Sequence, residues 1–233
     1  MYFGLSEDQI FFQKNVSKFL SDHSSLDIIK KIVDGHGESL QEEVHKGLTN
    51  LGIGSLLIPE QYNGLGLDLL FATAVSHSLG SGVAPIPFVG SYVMAPIAIT
   101  YGGNEDQKNN YLKKMSENSI RFGVGFSEYI GAREDASITI ADSVVNGRAL
   151  FVLDAMGSSH VMISNKSGTI GIVDVKKDGV EIIKLITVDK TRSYSEIRFN
   201  NVEVDVLQNT IDSSDAIVKS IDAGRIILAA DSI

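Results

Sequence analysis

The spacing of apolar side chains along the chain changes period near residue 120. Before that point apolar positions recur three or four residues apart, the mark of helices that bury one face. Phe12, Val16, Phe19 and Leu20 form one such face, and Leu40, Val44, Leu48 and Leu51 form another. Leu70 to Leu79 reads as a third helix, Val93, Met94, Ile97 and Tyr101 as a fourth, and Tyr111, Leu112 and Met115 as a fifth. From Phe122 the alternation becomes two-fold for about eighty residues, which predicts β-strands. After Asp205 helical spacing returns at Ile217, Ile221, Ile226 and Ala230.

Punctuation residues sharpen these boundaries. Ser6 and Gln9 form a capping-box pattern ahead of the first helix, as do Asn104 and Gln107 ahead of the fifth. Gly35 and Gly37, Gly52, Gly80 and Gly102-Gly103 end helical runs, and residues 58–68 (IPEQYNGLGLD) read as a loop. Pro85 and Pro87 predict an extended connector, and Pro96 falls in the first turns of a helix or kinks it. In the β half, Asn146-Gly147 and Asp178-Gly179 are hairpin-turn signals, and Asn200-Asn201 separates two further runs. Several strands without intervening helices predict an antiparallel barrel or sandwich. The expected fold class is therefore α+β: a helical domain over 1–120, a β-domain over 121–207, and over 208–233 the first helix of a further helical domain. No stop signal precedes Ile233, which fits a helix belonging to something longer.

Composition narrows the partners. A formal charge of −9 leaves nothing to offset phosphate repulsion, so neither nucleic acid nor an anionic membrane is expected. The absence of cysteine removes disulfides, thiolate metal sites and cysteine nucleophiles. No apolar run is long enough to span a bilayer and no signal-peptide pattern opens the chain, so the cytoplasm is the expected location. Glycine-rich nucleotide motifs, metal-spaced histidine pairs and a nucleophile elbow are all missing. His23, His36, His45, His77 and His160 are scattered among polar neighbours and read as surface residues. A redox function would then need an organic cofactor.

The stretch Phe122 to Ala155 holds the candidate chemistry. Gly-Val-Gly-Phe-Ser-Glu (123–128) reads as a short strand ending in a hydroxyl and a carboxylate, with Gly123 and Gly125 small enough to admit a flat ligand. The alternative is an ordinary buried strand.

Together these residues resemble the acyl-CoA dehydrogenase family. The resemblance rests on Pro59-Glu60-Gln61-Tyr62-Asn63-Gly64-Leu65-Gly66-Leu67, on Gly103 to Lys108, on Val124-Gly125-Phe126-Ser127-Glu128 and on Gly147 to Ala155. It implies FAD as cofactor and an acyl-CoA thioester as substrate, which loses its pro-R α-proton and a β-hydride. It further implies an electron-transfer flavoprotein or similar acceptor and a homo- or heterotetramer in the intact enzyme. By position, Ser127 would hydrogen-bond the flavin, with Val124 and the backbone at Phe126 alongside. Phe151 would stack on the ring where most members carry tryptophan, with Val152 and Leu153 beside it. The chain departs from the family after Glu128. Tyr129 to Asp135 replace the usual Pro-Gly-x-Gly-Ser-Asp, leaving Arg133 near the pyrophosphate position, and Ala149 replaces a lysine. The Phe-Val-x-Asp-Ala form is similar to the branch acting on bulky or steroid-linked thioesters. Asp222 to Ala230 match the opening of the family's C-terminal helical domain, so the catalytic glutamate is expected beyond Ile233 and Glu128 is not that base. Two readings follow: part of an FAD-dependent acyl-CoA dehydrogenase, inactive alone, or a non-catalytic or half-site subunit supporting a partner chain. On either, the last helix would expose Ile221, Ile226, Ile227 and Ala230, be poorly ordered, and leave little FAD bound.

Overall fold

The computed structural model describes residues 4–131 and 137–233. It opens with α1 (Glu7–His23), α2 (Leu26–Val33), α3 (Glu38–Asn50) and α4 (Leu69–Ser81). Both capping boxes form. Ser6 Oγ accepts from the Gln9 amide at 3.2 Å while the Gln9 side chain accepts from the Ser6 amide at 2.9 Å. Asn104 and Gln107 repeat the exchange at 2.9 and 3.1 Å ahead of α6 (Glu105–Ser116). A π-helical segment (Phe88–Met94), buried throughout, runs directly into α5 (Ala95–Gly102). Pro96 sits in the first turn of α5, and the wide turns lie just where its missing N–H would break a regular ladder.

The strands are β1 (Phe122–Gly125), β2 (Ser137–Ala141), β3 (Val144–Leu153), β4 (His160–Ser164), β5 (Ile170–Asp174), β6 (Val180–Lys184), β7 (Tyr194–Glu203) and β8 (Asp205–Val206), with the four-residue α7 (Ser127–Ile130) after β1. They form one sheet in the order β6-β7-β3-β1-β4-β5-β8, with β2 added along β3. The expected antiparallel barrel or sandwich is thus a mixed sheet, because β1 runs parallel to β4. One apolar cluster joins the helices to one side of the sheet through Val124, Phe126, Met162 and Ile172. The other consists almost entirely of sheet residues, including Val145, Ala149, Val152, Val161, Ile163 and Ile197, and forms a second core.

Three turn expectations fail. Asn146-Gly147 lies inside β3, and the β2–β3 hairpin turns instead at Asp142 and Ser143, whose φ values of 50° and 59° are the positive pair such a turn needs. Asp178-Gly179 does turn the chain, but it carries it from β5 to β6, which pair with different neighbours. Asn200-Asn201 is a bulge inside β7, where one extra residue breaks register with β3 and Asn201 takes φ 54°. Its amide is met by the Asn146 side chain at 2.7 Å. The asparagine beside Gly147 therefore serves a neighbouring bulge rather than its own turn.

The final helix, α8 (Asp215–Asp231), is covered where an open face was expected. Ile217, Ala223 and Ile227 are buried against α4 and α5, and Ala230 is 7% exposed; Ile226 alone of the expected four is well exposed, at 47%. Ser76 Oγ donates to the Ile227 carbonyl at 2.9 Å and Ser220 Oγ to that of Met94 at 2.8 Å. No helix among the described residues is long and apolar enough to cross a membrane.

Candidate functional site

Strand β3 carries three of the seven candidate residues, Phe151, Val152 and Leu153, and its shape decides what they present. Val152 pairs with Ser195 and Ala149 with Ile197, so one extra residue is accommodated on β3 between them. The backbone absorbs it at Phe151, at φ 54°. The bulge turns the Phe151 ring outward, 44% exposed, on a strand whose neighbouring side chains are largely buried. Ser127, at the start of α7, is 5% exposed, and its Oγ accepts from the Leu150 amide at 3.2 Å. That bond ties Ser127 to the residue before Phe151 and leaves the hydroxyl proton to donate elsewhere.

The remaining candidates have different surroundings. Val124, Phe126 and Val152 are core side chains, exposed by 4% or less. Leu153 is half-buried and pairs with Val124 across β1. Arg133 lies outside the described residues. Gly123 and Gly125 serve close strand packing rather than a flat ligand. A Cβ on Gly123 would stand 2.7 Å from Ala155 Cα, and one on Gly125 would stand 2.7 Å from a Val152 methyl. Glu128 is buried within α7.

A second polar group, on none of the sequence candidates, forms where the helices meet the sheet. His45 is buried in α3 and not on the surface as expected. Its Nε2 meets the Tyr92 hydroxyl at 2.5 Å, and Arg121 donates to its Nδ1 at 3.4 Å. An acceptor role for Nδ1 places the ring proton on Nε2, so His45 donates to Tyr92. Burial and the nearby Arg121 cation hold His45 down at about 4. Burial also drives the Tyr92 hydroxyl above its ordinary value. Asp154, just past β3, has its carboxyl enclosed and accepts a single amide, from Gly90 at 3.3 Å; burial pushes it up to about 7. His160 is half-buried, and burial lowers it too. The sequence signal for His45 was its place beside Val44 on the apolar face of α3.

Residues 6–119 match the acyl-CoA dehydrogenase N-terminal domain. Isovaleryl-CoA dehydrogenase, mitochondrial, of Bos taurus is 28% identical over 165 residues, 70% of this chain and 36% of that protein. The chain is thus similar to acyl-CoA dehydrogenases, and its first half matches their N-terminal domain. Solved structures share the fold over nearly all of it. Butyryl-CoA dehydrogenase from Megasphaera elsdenii superposes with a TM-score of 0.79 at 20% identity, covering 99% of this chain and 66% of that one. An acyl-CoA dehydrogenase complexed with FAD from Bacillus anthracis gives 0.83 at 16% identity, covering 97% and 41%. The chain thus spans about a third of the length of the isovaleryl-CoA dehydrogenase it matches.

The resemblance implies FAD, and the end of β3 is where the described residues can be compared with what a flavin needs. An exposed aromatic ring held outward by a bulge, beside a buried hydroxyl with a proton to give, suits the face and a polar edge of a flat heteroaromatic ring. Leu153 is half-buried and packs against the cluster that joins the helices to the sheet.

Proposed function

We propose that this chain supplies the helical and sheet portions of an enzyme that carries out FAD-dependent α,β-dehydrogenation of an acyl-CoA thioester. The observation that carries this reading is Phe151, a large apolar ring turned out of a strand by a strained bulge and linked through Leu150 to the Ser127 hydroxyl. FAD, when bound, supplies the two-electron acceptor that the chain's own side chains lack. The Ser127 hydroxyl donates to the polar edge of the ring, favouring added negative charge there. Phe151 covers one face and shields it from water. Val124, Phe126, Val152 and Leu153 belong to the same flavin reading as neighbours of the ring, and Arg133 to it as a partner of the pyrophosphate. No carboxylate described here is assigned as the base; we place it outside these residues. An electron-transfer flavoprotein as acceptor and a tetrameric assembly belong to the same reading.

The test is FAD titration of the purified protein by flavin absorbance and fluorescence, followed by turnover of the full-length enzyme on an acyl-CoA panel with an artificial acceptor. Ser127→Ala and Phe151→Ala should each weaken flavin binding or slow flavin reduction. Spectra and reduction rates unchanged in both variants would overturn the assignment.

A further inference from the structure

A cavity of about 190 Å³ lies between α3, the Pro85–Pro87 connector, the entry to β1 and the two segments that flank the ends of β3 and β7. Its wall includes Glu38, Glu42, His45, Arg121, Asp154 and Ser193. Two opposite charges on this wall lack a counter-ion. The guanidinium of Arg121 meets only the neutral His45 ring among the described residues, with no carboxylate within the 4.0 Å of an ion pair. Asp154 is equally single. The cation it feels is Arg192, which is already engaged by Asp231 and by Asp189 at 3.7 Å. A third group is also unmet: the Ser193 hydroxyl is buried and has no hydrogen-bond partner among the described residues. Native interiors satisfy such groups or leave them for a ligand.

We propose that this cavity binds a small zwitterion, an amino acid or comparable ammonio-carboxylate, with its carboxylate on Arg121 and its ammonium on Asp154. A simple anion would face Asp154, Glu38 and Glu42 against one guanidinium. A simple amine would leave the half-buried Arg121 without a counter-ion. A zwitterion satisfies both charges at once, and Ser193 supplies a further hydrogen bond. The cavity has room for a few heavy atoms rather than a nucleotide or a lipid chain. This inference does not depend on the flavin reading, since Ser127 and Phe151 are not part of the wall.

The charge balance gives the site a pH signature. Facing the bound ammonium are Glu38, Glu42 and His45 from α3, Tyr92 from the π-helical segment, Arg121 at the entry to β1, and Arg192 with Asp189 before β7. His45, held at about 4, stays neutral above pH 5. Asp154 is the group that changes charge near neutrality, because burial holds it at about 7. An ammonium favours its ionised form, so binding below pH 7 releases a proton and weakens as pH falls, by up to about tenfold per unit.

Isothermal titration of the purified protein with glycine, alanine, proline and serine, each set against the acid and the amine of matching skeleton, tests the proposal. At pH 8 at least one amino acid should bind with Kd below about 1 mM. It should bind tenfold or more tightly than its acid and amine counterparts, and more weakly at pH 6. Arg121→Gln and Asp154→Asn should each lose tenfold or more, with thermal unfolding confirming that the variants are folded. Ser193→Ala fills a position with no existing bond, so it should keep the fold and lose about threefold. No measurable binding of any amino acid, equal binding of the lone acid or amine, or affinity unchanged in the folded variants would each overturn the proposal.

Discussion

Phe151 and Asp154 stand three residues apart at the end of β3, and each reverses the usual placement of its residue type. Both take left-handed backbone, with φ of 54° and 58°, a conformation that costs a residue with a side chain on the order of 1 kcal/mol or more. Phe151 turns its ring out toward solvent, while Asp154 turns its carboxyl into the protein. Apolar outside and charged inside is the opposite of what stability alone favours. The difference between them lies in their supports. The residue before Phe151 is tied to Ser127 of α7, whereas Asp154 is held from the helical side by the Gly90 amide. One strand end thus serves two interfaces, an open one on the sheet and an enclosed one between sheet and helices.

The comparison breaks most sharply at the floor the two residues share. Ile197, fully buried opposite Ala149, fills the sheet core just ahead of the bulge. Ile197→Ala should cost about 2–5 kcal/mol through lost burial and the cavity left behind. Denaturant unfolding followed by circular dichroism measures it. A loss within experimental error would mean that the bulge is not supported from below.

Asp154→Asn comes next and should stabilise. Asp154 has a folded value of about 7, above its ordinary 3.8. Between these values the unfolded chain has released the proton and the folded chain holds it, so stability falls as pH rises through that window. Below pH 3.8 the penalty is absent, and above pH 7 it is complete, at roughly 4 kcal/mol as a ceiling. Asparagine keeps an acceptor for the Gly90 amide and removes the titration. Unfolding midpoints at pH 8 should rise, and the variant should lose the decline between pH 4 and 7. A less stable variant at pH 8 would show that the carboxylate has a counter-ion in solution.

His45 supplies the opposite slope. Its folded value of about 4 lies below its ordinary 6.5, so on acidification through that window the unfolded chain gains a proton that the folded chain refuses. Its contribution to stability is therefore lost as pH falls from 6.5 to 4, while that of Asp154 recovers. His45→Gln should leave the Asp154 slope alone, making the variant more stable at pH 4.5 than at pH 6.5 by roughly 1–3 kcal/mol. An unchanged pH profile would count against a neutral, buried His45.

Legibility followed sequence distance. Both capping boxes and the breaks at Gly35 and Gly52 are local signals, and the helices obey them, while α4 runs one residue past Gly80. Asn146-Gly147 misled because the same two residues suit a tight turn or a bulge, and only the pairing of β3 with β7 decides between them. The burial of His45 depends on Tyr92 and Arg121, 47 and 76 residues away, and that of Asp154 on Gly90, 64 residues away. Nothing in a local pattern carries such contacts. The order of residues 147–155 marked Phe151 for attention, but not that a bulge would turn it outward. The covered face of α8 was likewise missed, since α4 and α5 are complementary to it through small contacts at Gly80, Ser76 and Ser220.

The smallest effect on stability should come from Phe151, and it separates the two ends of the comparison most cleanly. A ring that is 44% exposed contributes little to the core, and alanine tolerates the bulge no better than phenylalanine does. Phe151→Ala should therefore change unfolding free energy by no more than about 0.5 kcal/mol. If the ring stacks on a flavin, the same substitution should weaken FAD binding by about 0.5–1.5 kcal/mol, a few-fold in Kd, since that is the range for an aromatic contact beyond its buried area. Ser127→Ala loses one hydrogen bond to the same ring, and its Leu150 amide is left unmatched, so it should lower both stability and flavin affinity. The pair of variants thus gives different signatures: flavin affinity alone for Phe151, affinity and stability together for Ser127. A Phe151→Ala protein that unfolds several kcal/mol more easily, with flavin titration unchanged, would return the ring to the core and remove the flavin face from this strand.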